Sequence, residues 1–552
     1  MKFSDKLLSQ TLIQLCLQHE IDHIVISPGS RNAALTIGFT GHTDFVNFSI
    51  VDERCAAFFA LGLAQQLDKP VALVCTSGSA LLNYYPAVAE AFYSDIPLVI
   101  ISADRPVDLI EIGDGQTIRQ ENVYSNHILY NANCIEGKQS YNESVITEAL
   151  QMAIDQKGPV HINTPFSEPL YGTVAALQVE IKRPIFNRTS ENIIDDISSF
   201  AQKWNDSAKK MILVGVLPPD SLERRFIDVL AEDESIIVLT ETTSNLSHKD
   251  FFPAIDQLIA PLEESEFLKL QPDILLTFGG MVVSKKIKAF LRAYPPKEHW
   301  HIDVKKAYDT FFCLDHHFKM IPNNFFHNLI PEINNVKSVY KFDFKEVSGD
   351  RLSKHSKYEN VAPFSDFKVF SEIFKSLPRH TQLQLSNSAT IRYAQLFHLD
   401  PSLRVFCNRG TSGIDGCTST AIGAAWVSKL QTIFVTGDVS FLYDSNALWN
   451  NYIPNSFRII VINNNGGGIF RILPGAKETD HFNRFFETQH GYSAKHLCEM
   501  YNIEYTMVSK LKGLKKELSV FYDTSERPKL LEVFTPSEIN DTVLLEYFNY
   551  IK

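Results

Sequence analysis

The 552 residues exceed what one hydrophobic core usually supports, so roughly two to four domains are expected. A hydrophobic share of 45% beside 21% charged residues is that of a soluble globular protein, and no stretch reaches the roughly 18 consecutive apolar residues of a membrane span. A net charge of −12 argues against nucleic-acid or anionic-membrane binding, leaving room only for local basic sites.

The opening MKFSDKLLSQTLIQLCLQHEI sets Asp5 and Glu20 in an amphipathic pattern and lacks the layout of a secretory signal. Up to Tyr171, strand-like runs at His23–Ile26, Val71–Cys75, Leu98–Ser102 and Val160–Asn163 alternate with helical patterns, which predicts a parallel sheet covered by helices on both faces. Pro28-Gly29-Ser30-Arg31 and Ser77-Gly78-Ser79 are tight turns that enter helices and offer backbone N–H groups to anions. Between them Val51-Asp52-Glu53-Arg54 leads into the apolar helix CAAFFALGLAQQL, where a first-turn glutamate also suits the helix dipole. From Gly172 to Asn192 the pattern is interrupted by Lys182, Arg183, Pro184 and Arg188, as in a linker. A second α/β unit follows, with strands at Lys209–Val216, Ser235–Thr240, Ile274–Phe278 and His299–Val304. The charged, aperiodic stretch Val336–Pro363 reads as a long surface connection. The third unit repeats the scheme with QLQLS, the turn Asn387-Ser388-Ala389, LRVFCN, the glycine-rich Arg409–Gly416, the small-residue helix STAIGAAWV and a late strand at Lys529–Phe534. The expected fold is therefore α/β, three doubly wound domains with mainly parallel central sheets, spanning 1–180, 190–340 and 360–552 and suggesting an old duplication. Eight scattered cysteines without a CxxC pair read as buried thiols in a reducing cytoplasm.

Chemistry concentrates in TGDVSFLYDSNALWNNYIPNSFRIIVINNNGGGIF, Thr436 to Phe470. Two apolar runs, Ile433–Val435 and Arg458–Ile462, end in Gly437-Asp438 and in Asn463-Asn464-Asn465-Gly466-Gly467-Gly468, and a helix over Ser445–Tyr452 fits the crossover between them. At the carboxyl edge of a parallel sheet these ends face the ligand crevice. One carboxylate, amide oxygens and glycine carbonyls suit a hard divalent cation that takes its other ligands from phosphate and water.

This GD…NN arrangement resembles the motif of the thiamine-diphosphate decarboxylase and carboligase superfamily, with Val439 where GDG is usual. The resemblance implies Mg2+ (or Mn2+) held by Asp438, Asn464 and the Gly466 carbonyl, with Asn465 and Gly467 as the alternatives that the asparagine and glycine runs leave open. It further implies thiamine diphosphate, with Glu53 as the catalytic carboxylate against the pyrimidine ring, Ile414 as the apolar wedge, and cofactor contacts at Ser77, Gly78, Asn408, Gly437, Ile469 and Phe470. ISPGSRNAAL, SADRP, GDGQTIRQ, SNSATIR, NRGTSGIDG and NNNGGGIF together resemble the 2-succinyl-5-enolpyruvyl-6-hydroxy-3-cyclohexene-1-carboxylate synthases of menaquinone biosynthesis. That family implies 2-oxoglutarate and isochorismate as dianionic substrates, and a homodimer or homotetramer with active sites at the subunit interface. It also implies a middle domain without cofactor. Carried across, Ser30, Arg31, Arg105, Gln116, Lys285, Lys286, Ser388, Arg392 and Arg409 bind substrate, and Gln116 also orients reacting oxygens. Lys286 stands where some members have Arg, and Gly115 replaces a polar neighbour of the glutamine. Local basic turns in an acidic chain agree with anionic substrates, because arginine grips carboxylates bidentately while lysine acts as a point charge.

Overall fold

The computed structural model describes residues 2–181, 196–472 and 475–552. Three parallel sheets organise the chain. The first runs, in spatial order, Val46–Ser49, His23–Ile26, Val71–Cys75, Leu98–Asp104, Val160–Pro165 and Tyr130–Asn133. The last runs Arg404–Cys407, Gln382–Leu385, Thr432–Gly437, Arg458–Asn463, Lys529–Phe534 and Glu504–Val508. In each, the second strand in sequence lies at one edge, the fifth at the other, and the first and third are neighbours, so the two sheets share one strand order. The five-stranded middle sheet runs Ile236–Thr240, Lys210–Val214, Ile274–Phe278, Glu298–Ile302 and His316–Phe318. Adjacent first and third strands whose connections leave in opposite directions open a crevice at their carboxyl ends, where ligands bind in such sheets.

Four strands of the three parallel sheets escape the sequence pattern: Val46–Ser49, Tyr130–Asn133, His316–Phe318 and Glu504–Val508. All lie at sheet edges, where strands are short and carry polar residues such as those of Tyr-Asn-Ala-Asn, so the apolar run that marks a buried strand is missing. The start of the expected linker is docked: Thr173–Val174 pairs antiparallel with Phe3–Ser4, and Gln14 and Gln18 donate to the carbonyls of Val179 and Ile181. Lys182, Arg183, Pro184 and Arg188 lie outside the described residues.

The stretch expected as a surface connection is instead the helix Tyr340–Val361. Its buried side mixes Tyr340, Phe344 and Tyr358 with Lys341, Arg351, His355 and Glu359, which conceals the apolar period. Each polar member has a partner: Lys341 Nζ donates to the Ala231 carbonyl at 2.7 Å, and His355 Nδ1 lies 2.9 Å from the Tyr547 hydroxyl. The crossover helix expected over Ser445–Tyr452 is likewise corrected, to a helix at Asp438–Tyr443 followed by a 3-10 turn at Ser445–Leu448. Asn450 bonds the Ala447 carbonyl and accepts from Tyr452 N–H, a local alternative to helical bonding.

The first and last sheets share one apolar core in which helix Glu53–Leu67 lies against helix Cys417–Val427. Gly62 and Gly423 let the two backbones touch: a Cβ on Gly62 would sit 2.1 Å from the Thr420 carbonyl oxygen, and one on Gly423 2.1 Å from that of Phe59. This contact joins the helix that begins with Glu53 to the unit that carries Asp438. Gly423→Ala is expected to lower stability by about 1–3 kcal/mol, the usual cost of overpacking, visible as a reduced unfolding midpoint; an unchanged midpoint would show that the helices can move apart freely.

Candidate active site

Strand Thr432–Gly437 runs directly into Asp438, and its neighbour Arg458–Asn463, registered with Ile462 opposite Gly437, delivers Asn464 beside it. Asp438 is buried; its Oδ1 accepts from Val439 N–H at 2.7 Å, and its Oδ2 accepts from Gly466 N–H at 3.0 Å, with His490 Nε2 3.2 Å away. The Asn464 amide nitrogen donates to Asp366 Oδ2 at 2.8 Å, and its Oδ1 is buried with no hydrogen-bond partner among the described residues. An unpaired buried amide oxygen is costly unless something not in the chain uses it. Gly466 has φ 153°, where a Cβ would meet the Glu487 carbonyl at 2.6 Å, and its own carbonyl accepts from Gly468 N–H with one lone pair to spare. Among the described residues no three His, Cys, Asp or Glu side chains converge on a metal. A carboxylate, the unpaired amide oxygen and a carbonyl therefore fit a hard cation that draws its remaining ligands from a diphosphate and water. Asn465 differs: half-buried with φ 62°, it gives its carbonyl to His490 N–H at 3.1 Å. Burial and the unpaired oxygen favour Asn464.

Asn387 organises the loop before helix Cys417–Val427. Its amide nitrogen donates to the carbonyls of Asn408 and Gly413, both at 2.7 Å, and its Oδ1 accepts from Arg409 Nη1 at 2.8 Å. Arg409 is half-buried, with its Nε buried and unpaired. Asn408 bonds Thr420, and Ile414, whose carbonyl accepts from Ser440, stays half-buried outside the adjoining core, as an apolar ligand contact requires. Ser388 caps helix Ala389–Ala394 at φ 67°, a strained conformation for a residue with a Cβ and one that clusters at functional sites. Arg392 extends from that helix; desolvation and the neighbouring Arg409 lower its pKa, and Asp256 opposes them. Lys285 and Lys286 are exposed in the first turn of helix Lys285–Ala293, Lys286 Nζ lying 4.9 Å over the Phe548 ring. Glu241 caps that turn by accepting from Val283 and Ser284 N–H at 2.7 Å, and burial pushes its pKa up to about 7. Half-buried Lys288, which the motifs do not mark, lies within electrostatic reach of Glu241, Arg409 and Lys285. Ile469 and Phe470 are half-buried in the 3-10 helix Gly468–Ile472.

The first sheet supplies a second cluster. Asp52 caps helix Glu53–Leu67 by accepting from Cys55 N–H at 3.0 Å, which sets Glu53 at the first helical position. The Glu53 carboxyl is half-buried within electrostatic reach of Cys75, and burial raises its pKa, aided by Asp52 and opposed by its own N–H. Gly78 adopts φ 87° and lies against the Gln116 backbone, where an added Cβ would stand 3.3 Å away. Gln116 itself is exposed at φ 56°. Arg31 is buried, donating to the Phe166 carbonyl at 2.9 Å and pairing with Glu168 at 3.1 Å; desolvation and nearby Arg105 lower its pKa. Arg105 donates to the Gly115 carbonyl at 2.9 Å and lies 3.5 Å from Asp114, while Ser30 is exposed at the turn. Arg31 Nε, Arg105 Nε, Thr76 Oγ1 and Ser77 Oγ are all buried without a hydrogen-bond partner among the described residues. Beneath them Gln120 accepts from Gly78 N–H at 3.0 Å and donates to Asn163, whose amide reaches Asp104 at 2.8 Å.

Glu241 and Asp366 thus orient site residues although no motif marks them, and Gln120, which closes GDGQTIRQ, does so without having been singled out. Asp366 lies 98 residues from Asn464; only the folded chain pairs them. No hydrogen bond or ion pair among the described residues joins the Arg31–Arg105 cluster to the Arg392–Arg409 cluster.

The chain matches a family model described as the thiamine pyrophosphate enzyme N-terminal TPP binding domain over residues 7–126, and one described as the middle domain of thiamine pyrophosphate over residues 187–384. It is 56% identical over 541 residues to the 2-succinyl-5-enolpyruvyl-6-hydroxy-3-cyclohexene-1-carboxylate synthase of Flavobacterium psychrophilum, covering 98% of both chains. Synthases of the same name from Christiangramia forsetii, 54% identical with both chains wholly covered, and Porphyromonas gingivalis, 36% identical with 100% of this chain and 98% of the relative covered, also match. With relatives of one name matched over 98% or more of this chain and a TPP-binding family model over residues 7–126, the chain belongs to the thiamine-diphosphate-dependent 2-succinyl-5-enolpyruvyl-6-hydroxy-3-cyclohexene-1-carboxylate synthase family.

Proposed function

We propose that this enzyme decarboxylates 2-oxoglutarate and joins the remaining four-carbon succinyl unit to isochorismate, releasing CO2. The observation that carries the substrate assignment is that Arg31, Arg105 and Arg409, all in the motifs, each keep a buried guanidinium Nε–H with no hydrogen-bond partner among the described residues, as Arg54 and Arg351 also do outside the proposed pocket. Buried donors of this kind await anionic acceptors, and two dicarboxylic substrates supply four carboxylates. When bound, thiamine diphosphate supplies the electron sink for cleavage of the carbon–carbon bond to the carboxylate. Asp438, Asn464 and the Gly466 carbonyl hold its divalent metal, Mg2+ or Mn2+, while Ser77, Gly78, Asn408, Gly437, Ile414, Ile469 and Phe470 line the cofactor. Glu53 would stand against the pyrimidine ring as the group that holds or passes a proton there, and burial raises its pKa. Ser30, Gln116, Lys285, Lys286, Ser388 and Arg392 complete the substrate pocket, Gln116 orienting the reacting oxygens.

The family resemblance supports a homo-oligomer whose partner subunit completes each site, and among the described residues no hydrogen bond or ion pair joins Arg31 or Arg105 to Arg392 or Arg409. Three domains, 1–180, 190–340 and 360–552, would then supply the pyrimidine half, a spacer and the diphosphate half. No helix among the described residues is long and apolar enough to cross a membrane. Eight free thiols fit a cytoplasmic enzyme. Arginine-rich anion sites also separate this reading from that of a pyruvate-using carboligase. Purified protein with cofactor and Mg2+ should release CO2 from 2-oxoglutarate in preference to pyruvate; a preference for pyruvate would reject the assignment.

A further inference from the structure

Glu90 lies on helix Tyr85–Ser94 of the first unit, where its neighbours Ala87, Val88 and Ala91 pack into the shared core. It is 1% exposed and has no place in the motifs. Its carboxylate reaches from the first unit to the third. Oε1 accepts from Gly410 N–H at 2.7 Å and from the Ser94 hydroxyl at 2.8 Å, and Oε2 accepts from Thr411 N–H at 2.6 Å and the Thr411 hydroxyl at 2.8 Å. Four donors fill the acceptor directions of one ionised carboxylate. Main chain also meets main chain, since a Cβ on Gly410 would stand 2.5 Å from the Glu90 carbonyl oxygen. The loop so gripped is the one that carries Arg409 on one side and Ile414 on the other. Within the third unit Asn387 also holds it, through Asn408, Arg409 and Gly413.

We propose that Glu90 is a positioning residue for the reaction, fixing the loop from the first unit so that Arg409 meets a substrate carboxylate and Ile414 meets the cofactor. The proposal rests on the substrate and cofactor roles given above to those two residues. A buried carboxylate is expensive to desolvate, and a backbone carbonyl would satisfy an ordinary turn equally well. What the carboxylate adds is stiffness: two adjacent N–H groups and a hydroxyl are held by one planar group, which leaves the loop little freedom to rotate the Arg409 fork. Such orientation matters because bidentate recognition of a carboxylate depends on angle as well as charge.

The test is a double-mutant cycle between Glu90→Gln and Arg409→Ala in the full-length protein, read as KM, kcat and thiamine diphosphate affinity. Glutamine presents an NH2 where Oε1 or Oε2 accepted, so one loop donor loses its acceptor. Glu90→Gln alone should raise the KM of the substrate that Arg409 binds by roughly 10-fold or more while kcat at saturation changes by less than about 3-fold. In the Arg409→Ala background the same change should alter that KM by less than about 2-fold, because the positioned group is gone. Full multiplication of the two effects, or no KM change from Glu90→Gln alone, would overturn the proposal. If Arg409→Ala leaves both KM values unchanged, its substrate role fails, and Glu90 is judged on cofactor affinity in a cycle with Ile414→Ala: non-additive losses support positioning, and additive or absent losses reject it. Should Glu90→Gln not fold, Thr411→Val removes only the hydroxyl arm and should give a smaller KM rise of the same kind; an unchanged KM would count against the proposal.

Discussion

Glu53→Gln should leave the fold intact and cut turnover by about 10^2- to 10^4-fold, the range expected when a positioned proton-transfer group is lost. The fold should survive because the carboxyl is half-buried and its raised pKa already records a penalty on the charged form, so a neutral isostere is easily housed. The helix start should survive as well, since Asp52, not Glu53, accepts from Cys55 N–H. The variant should still bind thiamine diphosphate with Mg2+ in calorimetry while losing kcat. Near-normal turnover would remove Glu53 from the chemistry.

Asp438→Ala is expected to act on binding instead. The side chain is the one carboxylate of the proposed metal set, and it also accepts from Gly466 N–H, so its loss removes a ligand and releases the turn that offers another. Affinity for thiamine diphosphate with Mg2+ should fall by at least about 100-fold, the upper end of what losing even a supporting partner of a metal ligand costs. Retained affinity would place the metal elsewhere. Mixing the two variants then tests the interface. If Glu53 and Asp438 of one site come from different subunits, a hybrid dimer of Glu53→Gln and Asp438→Ala chains contains one intact site, and co-expression should restore activity that neither variant has alone. With both groups from one subunit, every site in the hybrid carries a lesion and activity stays absent.

The buried strands were legible because interior parallel strands are continuous apolar runs. Tyr130–Asn133 and His316–Phe318 were not, because sheet edges select polar residues. Helix Tyr340–Val361 hid for a related reason: its buried side holds lysine, arginine, histidine and glutamate, whose partners lie up to 201 residues away and cannot be inferred locally. The site divides similarly. Asp438 and the asparagine run stand at strand ends whose residue types and spacing suggest a metal, while the choice of Asn464 stays open there and Glu53 is marked by the family resemblance. Asp366, Glu241, Gln120 and Glu90 act by orienting others across the fold. A lone buried carboxylate or amide looks ordinary until its partners are brought to it.

The most direct measurement is mass spectrometry of the product formed by the purified protein from 2-oxoglutarate and isochorismate with thiamine diphosphate and Mg2+. Isochorismate extended by the succinyl unit, formed with one CO2 per turnover, is the expected result. Unaltered isochorismate, with or without CO2 release, would contradict the proposed reaction.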